Sequence, residues 1–135
     1  MAVQLSTTVR NARLDTIEST ISTSAVLRIY TGSAPANCAA ANSGTLLAEM
    51  TLPSDWMAAA SGGSKALSGT WQDASANATG TAGHFRIYES TATTCHIQGT
   101  VTATGGGGDL TLDNTSIASA QSVTITGFTL TDGNA

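Results

Sequence analysis

A chain of 135 residues with a formal net charge of −4 is expected to form one domain. Only 10% of its residues are charged, against about 25% in an ordinary soluble domain, and aromatics make up 4%. Its basic residues, Arg10, Arg13, Arg28, Lys65 and Arg86, form no run, which argues against a nucleic-acid footprint. No apolar stretch approaches the roughly 18 residues of a membrane span. The first residues lack a basic segment followed by an apolar core, so no signal peptide is expected. The chain is expected to be made in a cytosol and to stay soluble.

Residues 1–21 read as an N-terminal helix or arm. Ser6, Thr7 or Thr8 can cap it, and Arg10, Arg13, Asp15 and Glu18 suit its surface. Its apolar residues do not form one stripe. Leu5, Val9 and Ala12 lie on one side of a helical wheel, and Leu14, Ile17 and Ile21 on the other. Two half-stripes point to contacts with two surfaces, one of them on another chain. Alternatively the helix is shorter, with Ile17 and Ile21 already extended.

Residues 22–135 read as short strands separated by turn signals. Residues 25–30 form the first, and 31–44 a loop punctuated by Gly32, Pro35 and Gly44. In the next strand, 45–52, Leu46, Ala48, Met50 and Leu52 are expected inside and Leu47 outside. Pro53 ends it by removing a ladder donor. Residues 55–60 read as a short edge strand, 65–72 as a longer one and 73–80 as a polar loop. The clearest element is a hairpin over 83–101. Phe85, Ile87, Cys95, Ile97 and Val101 alternate with His84, Arg86, Tyr88, His96, Gln98 and Thr100. Opposed residues share a face, so the register pairs Ile87 with Ile97, Arg86 with Gln98 and Tyr88 with His96. This hairpin is expected in the middle of the fold. Glycines 105–108 read as a flexible connection, followed by a short strand at 109–113. The last strand, 122–131, changes phase between Ile125 and Phe128, which predicts a bulge at Gly127. The fold class is all-β: an antiparallel β-sandwich of about seven or eight strands, jelly-roll or immunoglobulin-like, with the N-terminal helix outside it.

No residue pattern here reads as catalytic. There is no Gly-x-Ser-x-Gly elbow, and His84 and His96 are not opposed in the predicted register. Cys38, Cys95 and the histidines lack zinc-site spacing, and Asp109 and Asp113 lack the calcium-loop pattern. No cofactor or metal is expected. A disulfide between Cys38 and Cys95 would close a long loop, while cytosolic production argues for free thiols, so both states stay open. Trp71 reads as a core anchor. Trp56 reads equally as core or as a sugar-stacking platform.

The segments Val9-Arg-Asn-Ala-Arg-Leu-Asp15, Gly44-Thr-Leu-Leu-Ala48, Leu52-Pro-Ser54, Gly80-Thr-Ala-Gly-His-Phe-Arg-Ile-Tyr88 and Gln98-Gly-Thr-Val101 resemble a family of small proteins encoded among tailed-bacteriophage structural genes. The likeness spans most of the chain, but its motifs are strand and turn patterns and carry no chemistry. It implies a non-enzymatic virion protein, made in the bacterial host cytoplasm. The expected role is capsid decoration (cement), binding the major capsid protein as a homo-oligomer, with a trimer expected. The runner-up is a tail or head-fibre component, including a carbohydrate-binding module for host attachment. The expected contact residues are Leu5, Val9, Arg10, Arg13, Leu14 and Ile17, with the two arginines facing acidic groups on the shell.

Overall fold

The computed structural model describes residues 3–134. Helix α1 runs over Thr7–Ile21, and the Ser6 hydroxyl caps it by accepting from the Val9 amide at 3.3 Å. It ends at Ser22, whose φ of 74° turns the chain while its amide still donates to the Glu18 carbonyl. The helix therefore has its full length. Leu14 and Ile21 are buried, and Ile17 packs against the core.

The rest is a curled, mixed sheet of short strands: β1 (Val26–Thr31), β2 (Leu46–Thr51), β3 (Ser64–Ala66), β4 (Gln72–Asp73), β5 (Gly80–Tyr88), β6 (Cys95–Ala103), β7 (Leu110–Leu112), β8 (Ser116–Ile117) and β9 (Val123–Thr131). The main path runs β2-β1-β5-β6-β7-β9-β3, with β4 on β9 and β8 on β5. The expected hairpin is β5–β6, central in that path.

Ile87 pairs with Ile97 and Arg86 with Gln98, as the alternation predicts. Tyr88 does not pair with His96. The register slips by one and Tyr88 meets Cys95. His96 is the extra residue, and the slip carries Cys95 onto the face of Tyr88, away from Ile97. A second slip between Ile29 and Tyr30 bypasses Leu47, which turns inward and is fully buried, contrary to its expected outward position. A third bypasses Gly83. A Cβ there would lie 2.2 Å from the Gly32 carbonyl oxygen, so only glycine lets these backbones approach. The fourth bypasses Thr126, beside Gly127, and restores Phe128 to the core. The predicted phase change is therefore present, with the extra residue one position earlier.

Bulges bend strands and increase their twist. Their sum explains the curl, which brings β5 and β9 face to face although β6 and β7 separate them in the sheet. Phe85 of β5 meets Phe128 of β9 edge-on, with ring centroids 5.5 Å apart. Trp71 then stacks obliquely on Phe128 at 5.5 Å and on Trp56 at 5.9 Å. Trp56 and Trp71 are buried, and the Trp56 indole donates to the Ser22 carbonyl at 3.0 Å. Both are core anchors, which removes Trp56 as a sugar platform.

The sheet is not purely antiparallel. β6 and β7 run parallel, pairing Val101 with Leu110 and Ala103 with Leu112. Parallel neighbours normally need a long crossover. Here the glycine run folds straight back along β6. Gly105 and Gly107 take φ values of +84° and +81°, and a Cβ on Gly106 or Gly108 would lie 2.8 Å from the Thr102 side chain. The Gly108 amide donates to the Thr102 hydroxyl at 2.9 Å. The run expected to be flexible is thus a tight return.

The expected strand over 65–72 is two pieces, β3 and β4, because Trp71 turns into the core between them. The edge of β2 is occupied: the Glu49 amide donates to Asp73 at 3.0 Å, and the Asn77 amide to the Leu47 carbonyl at 2.8 Å. The outer side of β3 is bonded through the Ala58 amide to the Ala66 carbonyl at 2.9 Å. Covered edges of this kind resist strand-to-strand association.

Candidate functional site

Two regions concentrate the side chains that could act on a partner or a reagent. One is the N-terminal segment. The other is the outer face of β5–β6 with the loop lying over it.

Polar contacts join the buried Leu14 and Ile21 in holding the N-terminal segment. Lys65 on β3 is 2% exposed, and its ammonium donates to Asp15 at 2.7 Å and to the Ala58 carbonyl at 2.9 Å. Glu18 lies 2.8 Å away on the same group. Burial alone would lower the Lys65 pKa, but the bonds to Asp15 and Glu18 outweigh it and raise it. The same bond, with one from the Ala60 amide, lowers Asp15. Asn11 accepts from the Gly63 amide at 2.8 Å, and Leu5 exchanges two 2.9 Å bonds with the Asn134 side chain.

The expected contact residues separate on this frame. Leu14 and Ile17 turn inward. Arg10 donates to the Asp132 carbonyl at 3.0 Å, and Arg13 lies 3.2 Å from the Asp132 carboxylate. These arginines pair within the chain. Leu5 is half-buried and Val9 is 45% exposed. Among the described residues the exposed large apolar side chains are Val9 and Val3, the latter 84% exposed. Sequence reading missed the Lys65 cluster, because a lysine in a Ser-Lys-Ala stretch has the ordinary look of a surface residue.

On the other region, residues 32–44 fold over the face that alternation marks as polar. Arg86 is 2% exposed. Its guanidinium donates to the carbonyls of Cys38 at 2.7 Å, Ala40 at 3.0 Å and Asn37 at 3.3 Å, and to the Asn42 side chain. The Tyr88 hydroxyl donates to the same Asn42 oxygen at 2.7 Å and lies 3.3 Å from the Tyr30 hydroxyl. Burial, then the bond to Tyr88, pushes Tyr30 up to about 12. His84 is buried and stacked on Tyr30 with centroids 5.2 Å apart. Its Nδ1 lies 2.9 Å from the Gly32 carbonyl. A carbonyl only accepts, so Nδ1 carries the proton.

Cys38 and Cys95 line a cavity of about 450 Å³ on this face, with Arg28, Asn42, Arg86 and Tyr88. Both are free thiols. They pack in one small apolar cluster with Val26, Tyr88 and Ala92. The Cys95 thiol donates to the Ile97 carbonyl at 3.3 Å. Burial, then the neighbouring Cys38, pushes Cys95 up to about 11, while neighbouring Arg86 pulls it down. No group of three or more His, Cys, Asp or Glu side chains with metal-site geometry occurs among the described residues. Nor is any helix among them long and apolar enough to cross a membrane.

Comparison with protein-family models, with curated proteins and with solved structures finds no match to this chain.

Proposed function

We propose that this protein is a non-enzymatic bacteriophage virion component, a decoration (cement) protein that binds the major capsid protein and stabilises the shell. The reading begins with the sequence likeness to tailed-phage structural proteins. The observation that carries it further is the position of Val3 and Val9. Among the described residues, these large apolar side chains are the exposed ones, and both belong to the N-terminal segment. The segment is braced on the domain by Lys65, Asp132 and Asn134, so it presents them from a rigid base. A contact this small is useful when a symmetric lattice repeats it, and a homo-oligomer such as a trimer multiplies it again. In this reading the protein is made in the host cytoplasm and resides in the virion.

The finer architecture belongs to the same proposal: a sandwich-like fold of jelly-roll or immunoglobulin-like type. The edge-on contact of Phe85 with Phe128 across the curled sheet supports it. The competing role, a tail or head-fibre module that binds carbohydrate, loses its aromatic platform because Trp56 and Trp71 are buried.

The test adds purified protein to capsids that lack it. Wild-type protein is expected to bind at a copy number tied to the major capsid protein. Val3→Asp and Val9→Asp together should keep the circular dichroism spectrum and lower capsid affinity by at least about tenfold. Binding of the double variant at wild-type stoichiometry and affinity would place docking elsewhere. A yield of only a few copies per virion would favour the fibre role.

A further inference from the structure

We propose that Cys38 and Cys95 form a redox clasp, a thiol pair that closes into a disulfide across the face of β5–β6 when the protein meets a disulfide oxidant such as oxidised glutathione. The pairing is set by the fold. Cys38 lies in the loop over the sheet, and Cys95 begins β6. The slip at His96 brings Cys95 to the loop side; without it, Cys95 would share the face of Ile97. Both thiols line the same cavity and pack in the same apolar cluster. Arg86 holds the carbonyls of Asn37 at 3.3 Å, Cys38 at 2.7 Å and Ala40 at 3.0 Å, which fixes the loop backbone on either side of the Cys38 side chain.

The order of steps follows from access. Cys38 is half-buried, whereas Cys95 is buried and its proton is held more tightly than that of an ordinary thiol. Cys38, as thiolate, attacks one sulfur of the oxidised glutathione. That sulfur–sulfur bond breaks, and one glutathione leaves as thiolate and takes up a proton. Cys95 then gives its proton to solvent and attacks the Cys38 sulfur, releasing the second glutathione. Two protein thiols are oxidised and one glutathione disulfide is reduced to two glutathione thiols. The product staples the loop at 32–44 to the hairpin. The pair stays open in a reducing cytosol and closes outside it.

The test incubates the native full-length protein with oxidised glutathione, followed by mass spectrometry of the intact chain and of unreduced peptides. The expected product is a monomer lighter by its two thiol hydrogens, with the Cys38 and Cys95 peptides joined. Its Tm should rise by roughly 10 °C over the reduced form, for a long loop closed without strain. Cys95→Ser should stop at a glutathione adduct on Cys38. Unlinked thiols in the native protein, covalent dimers, or a lasting glutathione adduct on the wild-type chain would each overturn the clasp.

Discussion

Lys65 and Glu18 meet at 2.8 Å, joining the third strand to the helix through an ammonium that is almost wholly out of solvent. The pair is the centre of a polar joint. Asp15 shares the same ammonium, and the Met57 amide donates to Glu18 at 3.1 Å. A buried cation is tolerated only when its hydrogen bonds are complete, and here two carboxylates and a carbonyl complete them.

Replacing Lys65 with Met is therefore expected to destabilise the protein by about 2–3 kcal/mol. That is less than the full cost of breaking a buried pair, because Asp15 remains about half in solvent. Urea unfolding of K65M measures the loss. The triple variant with Asp15→Asn and Glu18→Gln should recover part of it, since the uncompensated carboxylates are then gone. Equal losses in the single and triple variants would mean that the joint is held by packing alone.

The second prediction concerns Arg86. With Arg86→Met, the carbonyls of Cys38 and Ala40 lose the guanidinium donor and that of Asn37 keeps only the Ala40 amide, and the cost should be about 2–4 kcal/mol. Hydrogen exchange should rise first in residues 32–44, while β5 and β6 keep their protection. Arg86→Lys is expected to resemble the Met variant in the loop, because an ammonium cannot reproduce the planar fork that reaches four acceptors. Unchanged exchange in the loop would show that Tyr88 and Asn42 suffice to hold it.

A third prediction follows from Glu89, which closes the β5–β6 hairpin. Its carboxylate accepts from the Thr91 hydroxyl, from the Thr93 amide at 3.1 Å and from the Thr94 amide at 2.9 Å. The Thr91 bond is the largest cause holding its pKa down to about 2, from 4.5 in an open chain. A lowered pKa means that the folded hairpin favours the charged form. Its contribution is complete above about pH 4.5 and is lost as the pH falls towards 2. The amide shifts of Thr93 and Thr94, followed by NMR against pH, should titrate with a midpoint near 2. They should lose that transition in Glu89→Gln. A midpoint near 4.5 would mean that the loop does not hold the carboxylate in solution.

Much of the sheet follows from short-range pattern. A strand's side chains alternate, so the positions of Phe85, Ile87, Ile97 and Val101 identify one face, and Ile87 does pair with Ile97. A phase change needs an extra residue, so the bulge beside Gly127 is legible. The divided helix is legible as well, since Leu14, Ile17 and Ile21 turn in while Val9 does not. What alternation cannot say is what covers the second face of a strand. Arg86, Tyr88 and His84 look like solvent-facing residues, yet residues 32–44 lie over them and bury them. The meeting of Cys38 with Cys95 depends on a one-residue slip at His96 that has no glycine to mark it. The burial of Lys65 depends on two carboxylates that lie far from it along the chain. The parallel pairing of β6 with β7 depends on glycines that read locally only as freedom. Local propensity and period-2 patterning act over a few residues and determine most elements and their inward faces, except where a slip such as the one at Leu47 turns a residue over. The partners of the polar face are chosen by long-range packing, and that choice exists only once the sheet has curled.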